Sequence, residues 1–274
     1  TGEENTAIGD GALGANTTAD RNVALGARAL LANTTASDNT AVGYDALAAN
    51  TTGGDNVSIG GRTLDAANAD NNVAVGYSAG TAVTTGTQNV LLGSQAGNSI
   101  TTGDENIVIG YDSDTSAVGS TNQIVMGRGV TGAGNLTIVV GEGSNDSALT
   151  FGETSWSAPS DVRLKEDIQD EKVGLAFINE LRPVTFRWKK AKDVPPELEL
   201  HTPNSEERVM NGKYNHGFIA QEVKEVIDNN PDIKEGFPMW YENETDGRQR
   251  IGEAALIPML TKAIQELSAK VEVL

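Results

Sequence analysis

The chain has 274 residues, carries 20 basic against 38 acidic side chains for a formal net charge of −18, and contains no cysteine. That charge sets it against nucleic-acid backbones and anionic membranes, both of which would repel it, and the missing cysteine excludes a disulfide framework and a thiolate metal site. No run of about 18 apolar residues is present and the first residues are polar, so neither a spanning helix nor a signal peptide is expected. No nucleic-acid partner, membrane insertion, cofactor or metal is expected.

From the amino terminus, one short phrase returns eight times, ending on Gly9, Gly26, Gly43, Gly60, Gly76, Gly93, Gly110 and Gly127 at steps of 17, 17, 17, 16, 17, 17 and 17 residues. Each opens on an amide side chain (Asn5, Asn22, Asn39, Asn56, Asn72, Asn89, Asn106 and Gln123) and runs through small or β-branched residues to its glycine. A fixed period of this length means a stacked repeat. Apolar residues alternate over four or five positions, as Val57 and Ile59 do, which predicts a short strand. A second small-apolar segment follows (Ala29-Leu30, Ala46-Leu47), read as a second short strand before a polar turn. The chain opens inside a repeat, as a fragment of a longer protein would.

Only Tyr44, Tyr77 and Tyr111 are aromatic before Phe151. So little bulk predicts that coils close only when three chains pack about a common axis, each coil adding about 4.8 Å. Asn16, Asn33 and Asn50 each head an Asn-Thr-Thr triplet that matches the glycosylation pattern, yet they recur at one place in the repeat, where a polar turn is needed; the turn reading is preferred. The threonines keep no strict register suited to an ice-binding array. The phrases resemble the head repeats of trimeric autotransporter adhesins and similar tracts in bacteriophage tail fibres, a family whose usual spacing is shorter. The fold class expected for residues 1–150 is therefore a mainly β, trimeric solenoid or roll.

Residues 1–159 hold four arginines, no lysine and sixteen acids, whereas both histidines and every proline except Pro159 follow or flank the seam after it. Residues 151–159 read as a linker, and 160–274 as an α+β domain. Ser160-Asp161-Val162-Arg163-Leu164-Lys165 opens it. Val173 to Leu181 follows as a helix, Arg182-Pro183-Val184-Thr185-Phe186-Arg187-Trp188 as a strand, and 190–212 as a charged loop. His216-Gly217-Phe218-Ile219-Ala220-Gln221-Glu222-Val223 then runs a strand into a helix. These three motifs, in this order, resemble the intramolecular chaperone, or auto-processing peptidase domain, of endosialidase-type tail spikes and tail fibres.

The resemblance implies a domain that trimerises the chain, helps the upstream β-structure to fold and then cuts itself off at Pro159–Ser160. Ser160 and Lys165 fall at the family's nucleophile and base positions. Five residues apart they would point about 140° from each other on a regular helix, so a turn must bring the amine to the hydroxyl. Lysine is a base only when neutral, which requires burial or a cationic neighbour. Arg163 is either that neighbour or an ion-pair partner of Asp161 or Glu166. Ser160 and Asp161 could instead simply cap the following segment; the two downstream motifs favour the dyad. His216 either assists or packs, Gln221 is a possible supporting residue, and Glu222 reads as a solvated helix face rather than an acid.

At the carboxy end, Ile257, Ile264 and Val271 share one heptad position and Leu260, Leu267 and Leu274 another, which predicts a coiled coil over 255–274. The simple a/d rules favour two strands, and the family three. The expectation is a homotrimeric virion tail-fibre segment that meets a host surface receptor, glycan or protein, with a bacterial cell-surface adhesin carrying a non-cleaving chaperone as the alternative.

Overall fold

A computed structural model describes residues 2–153, 155–157, 160–198, 200–233, 237–242 and 247–272. The chain divides into two compact units, Thr1–Lys165 and Glu166–Leu274, each described here by itself.

The first unit is a β-solenoid of about eight turns. Strands β1 (Thr6–Ile8), β2 (Val23–Leu25), β3 (Thr40–Val42), β4 (Val57–Ile59), β5 (Val73–Val75), β6 (Val90–Leu92), β7 (Ile107–Ile109) and β8 (Gln123–Arg128) stack in parallel and in register, one per coil. β9 (Thr137–Glu142) adds a ninth parallel strand, and β10 (Asn145–Thr150) folds back on it as an antiparallel hairpin that ends the sheet.

The repeated amide at the head of each phrase is a structural ladder. The Asn22, Asn39, Asn56, Asn72, Asn89 and Asn106 side chains are fully buried. Each Oδ1 accepts the backbone N–H of the amide residue in the next coil, at 2.9–3.1 Å. Each Nδ2 donates to a carbonyl oxygen near the far end of its own coil, such as Gly53 from Asn39 at 2.9 Å and Gly86 from Asn72 at 2.9 Å. Buried amides are tolerable only when satisfied in this way. The glycine closing each phrase is equally constrained, with φ between 132° and 143° at all eight positions.

Two expectations are corrected here. The segment after each glycine is a turn, not a second strand: Leu13, Leu30, Leu47 and Leu64 take φ of 48–50° and drive their side chains inward. The coils also close within one chain. Ala24, Ala29, Leu30, Ala41, Leu47, Leu64 and Ala74 are completely buried without any neighbouring copy. A coil this narrow needs no aromatic bulk, because the amide ladder fills part of the interior. Where Gly80 and Gly97 replace the inward leucine, Leu91, Val83 and Ile100 fill the space, and a Cβ on Gly80 would lie 2.6 Å from Leu91 Cδ1.

Asn33 and Asn50 are likewise buried, donating to the Ala36 and Gly53 carbonyls at 2.9 and 2.7 Å. In the folded chain they are turn-forming residues closed to glycosylation.

The second unit is a small α+β assembly. Helix α1 (Leu175–Glu180), the antiparallel pair β11 (Val184–Phe186) and β12 (Asn215–Gly217), and helix α2 (Ala220–Asp228) follow the predicted order. The antiparallel pair β13 (Trp240–Glu242) and β14 (Gln249–Ile251) was not predicted; α3 (Ile257–Glu272) is the last described element, and Leu274 of the expected heptad seam lies outside the described residues. Val173, Phe177, Leu181, Val223, Met239, Leu256 and Met259 form its core, with Phe177 edge-on to Phe237 at 6.4 Å. In the 190–212 segment, Glu206 lies between Lys190 and Lys192, whose hydrogen bonds hold its carboxyl down at about 2.

Candidate active site at the end of the solenoid unit

Asp161 organises the last residues of the first unit. Its backbone is extended (φ −68°, ψ 135°), and its carboxylate accepts the Arg163 N–H at 2.9 Å, a side-chain cap on a single 3-10 turn at Val162–Leu164. A capping carboxylate fits here because the first N–H groups of a helical turn have no partner within it. The Leu164 and Lys165 N–H groups close the turn on the carbonyls of Asp161 and Val162 at 3.0 and 3.2 Å. Lys165 then returns to extended backbone (φ −119°, ψ 140°).

The result is that Lys165 Nζ donates to Ser160 Oγ at 2.7 Å. A regular helix would hold these side chains apart; one capped 3-10 turn folds them together. Cap and dyad are thus not alternatives, because the cap forms the turn on which the pair meets. An amine within hydrogen-bond reach of a hydroxyl is the geometry needed for general-base activation of a nucleophile.

Of the two readings of Arg163, the structure shows the ion pair with Asp161. Its guanidinium pairs with Asp161 through Nε at 3.0 Å and Nη2 at 2.6 Å. The Arg163 hydrogen bonds hold the Asp161 carboxyl below its usual range, and the same contact raises the guanidinium. Ser160 and Lys165 are exposed in the single chain, as are Val162 and Leu164 on the turn between them. Pro159, on the other side of the expected scissile bond, lies outside the described residues.

The remaining candidates belong to the second unit. His216 sits on β12 opposite Thr185, its Nδ1 3.2 Å from Thr185 Oγ1. Gln221 is exposed on α2. Glu222 pairs with Arg182, which accounts for the lowering of its carboxyl pKa, and Arg182 Nε lies 2.9 Å from Glu222 Oε2. His216 and Glu222 therefore have structural partners, the first joining β12 to β11 and the second joining α2 to the segment just before β11.

Sequence reasoning passed over Val162 and Leu164, exposed by 68% and 67%. Their signal was two aliphatic residues in an otherwise charged stretch.

The sequence model of the family described as the chaperone of endosialidase matches residues 160–230. The match begins on Ser160, takes in the Ser160–Lys165 turn, and ends just beyond α2, supporting a chaperone domain at the carboxy end. Comparisons with curated proteins and with solved structures gave no match.

Proposed function

We propose that the chain is part of a homotrimeric surface fibre, a phage tail fibre in its simplest setting, whose carboxy-terminal domain brings three chains together, guides folding of the solenoid, and then releases itself. The observation that carries this reading is the 2.7 Å contact between Lys165 Nζ and Ser160 Oγ at the first residues of the chaperone match.

In the reaction, the neutral Lys165 amine takes the Ser160 hydroxyl proton as Oγ attacks the Pro159 carbonyl carbon. The Pro159–Ser160 C–N bond breaks, its nitrogen receives the proton, and an ester joins the Pro159 acyl group to Oγ. Water then cleaves the ester, leaving a carboxylate on Pro159 and a free amine and hydroxyl on Ser160. Atoms and charge balance without a cofactor.

Assembly has two unpartnered apolar surfaces to use. Along the solenoid, Ile8, Val23, Leu25, Ile59, Val75 and Ile109 point outward with exposures of 36–61%. On α3, the a-position residues Ile257, Ile264 and Val271 are exposed by 63%, 67% and 63%, with Leu260 and Leu267 on the same seam. Contiguous apolar faces of this kind mark interaction surfaces.

Threading three chains into one β-structure demands many distant contacts, and a terminal clamp raises local concentration and fixes register. Burial around Val162 and Leu164 by neighbouring chains would favour the neutral lysine, so cutting would follow assembly. Loss of the clamp then leaves the shaft kinetically trapped.

The exposure of the dyad in a single chain favours one rival, a bacterial adhesin whose chaperone never cuts. The intact mass of freshly folded protein decides between them: two fragments divided at Pro159–Ser160 support the proposal, and a persistently full-length chain supports the rival.

A further inference from the structure

The only aromatic residues in the solenoid coils, Tyr44, Tyr77 and Tyr111, all stand immediately after the phrase-closing glycine. They occupy the third, fifth and seventh coils, and the intervening coils carry Gly61 and Ser94 at the same position. In-register stacking turns this into a straight column. Arg62 N–H bonds to the Tyr44 carbonyl and Ser78 N–H to Gly61 at 2.8 and 2.9 Å; Gln95 N–H bonds to Tyr77 and Asp112 N–H to Ser94 at 2.8 and 3.0 Å.

All three tyrosines are half exposed, at 50%, 57% and 52%, and the first of the row, Tyr44, shares its ring with the Arg28 guanidinium, which stands 5.9 Å from the ring centre and donates to the hydroxyl at 3.4 Å. Consecutive rings are two strand spacings apart, about 9.6 Å. The gaps are kept low by glycine and serine. A Cβ on Gly61 would lie 3.6 Å from Tyr77 Cδ2, in ordinary contact, so the Tyr77 ring lies beside the glycine of the preceding coil. Beside the rings, the next residue in each coil supplies hydrogen-bonding groups, among them Arg62, Gln95 and Asp112.

We propose that this column is a binding site for an extended, neutral, β-linked glycan, two sugar rings per tyrosine spacing. The repeat of an extended β-linked chain is two pyranoses, a length close to the ring separation. Tyr77 and Tyr111 each offer an apolar face for a pyranose and a hydroxyl for its rim, Tyr44 adds a ring flanked by the Arg28 guanidinium, and the neighbouring polar side chains meet the remaining sugar hydroxyls. The charge selects against acidic glycans: residues 1–159 carry sixteen acids against four arginines, which would repel a polyanion along the shaft. The proposal rests on the fibre reading above only for its biological target, since the site lies within one chain.

The test is calorimetric titration of the folded full-length protein with linear β-linked hexasaccharides of glucose, N-acetylglucosamine and mannose, and with an oligomer of sialic acid as the acidic counterpart. Saturable binding to a neutral chain is expected, weakened about tenfold by Tyr77→Ala through loss of the central stack and retained by Tyr77→Phe. Failure of all three neutral oligosaccharides to bind, preference for the acidic one, or indifference to Tyr77→Ala would overturn it. So would dissociation of the oligomer in Tyr77→Ala, which would make the column a contact between copies. Light scattering on the same samples reports separately on the fibre: a monomer that binds glycan through Tyr77 would refute the trimer and keep the site.

Discussion

Asn39 Oδ1 accepts two hydrogen bonds from Asn56, one from its backbone N–H and one from its side chain, both at 3.0 Å. Asn56 in turn donates to the Ala69 carbonyl at 2.7 Å and accepts the Asn72 N–H at 2.9 Å, so removing one side chain strips partners from three coils. Each buried polar group left unsatisfied costs about 1–3 kcal/mol. Asn56→Ala is therefore expected to destabilise the solenoid by roughly 2–5 kcal/mol, with Thr85→Ala, at an exposed threonine, near zero. Denaturant melts followed by circular dichroism check this; equal midpoints would show the ladder to be incidental.

Gly43 and Gly134 share a φ of 138°, yet only one is pressed against another coil. A Cβ on Gly43 would stand 2.4 Å from the Gly60 carbonyl oxygen, whereas one on Gly134 meets nothing within 4 Å. Gly134→Ala should carry only backbone strain, about 1–3 kcal/mol. Gly43→Ala must in addition separate two hydrogen-bonded coils, and is expected to prevent soluble expression or to lower the melting temperature far more. Comparable melting temperatures would mean that coil stacking does not require the glycine.

These positions show why the repeat was readable in advance. Asn and Gly recur because each faces its counterpart in the next coil, and a one-dimensional stack prints its contacts into the sequence at its own period. Closure by one chain was not readable, because the amide ladder that fills the coil looks polar in a linear pattern. Nor were the inward leucines: Ala29-Leu30 alternates like a strand, and only the positive φ reveals a turn. β9 was missed because Thr137-Ile138-Val139-Val140-Gly141 follows Gly127 by fourteen residues. At the dyad, the family resemblance named Ser160 and Lys165 while their spacing argued against contact on a regular helix, and the capped turn that joins them depends on Asp161, whose role the linear pattern left open.

The α3 seam should govern assembly. Ile264→Asp places a charge at an exposed position of the single chain, so the second unit should still fold. In a packed seam the same charge would lose its water, a cost of several kcal/mol. The variant is expected to prevent the trimer that light scattering should find in the wild type, whereas Gln265→Asp, one residue off the seam, should leave it intact. A trimer unaffected by Ile264→Asp would place the clamp elsewhere.

Self-cleavage should follow the lysine and the cap separately. Ser160→Ala and Lys165→Ala are both expected to keep the chain whole, since one removes the nucleophile and the other the base. Asp161→Ala loses the cap and should slow cutting by up to roughly tenfold, while Asp161→Asn, which still caps, restores most of the rate. The pH dependence separates the two roles. Because Arg163 holds the Asp161 carboxyl below its ordinary range, the contribution of this pair is present above the unfolded carboxylate pKa and is lost only as pH falls through the lower folded value. From neutral pH upward the turn is therefore constant, and a rise in rate over that range is the behaviour expected when an amine acts as the general base. Fragment yield on denaturing gels against pH should climb on the alkaline side in wild type and in Asp161→Asn alike. A wild-type chain that remains at full mass for days at mildly alkaline pH would eliminate the protease and leave a chaperone that holds its fibre without letting go.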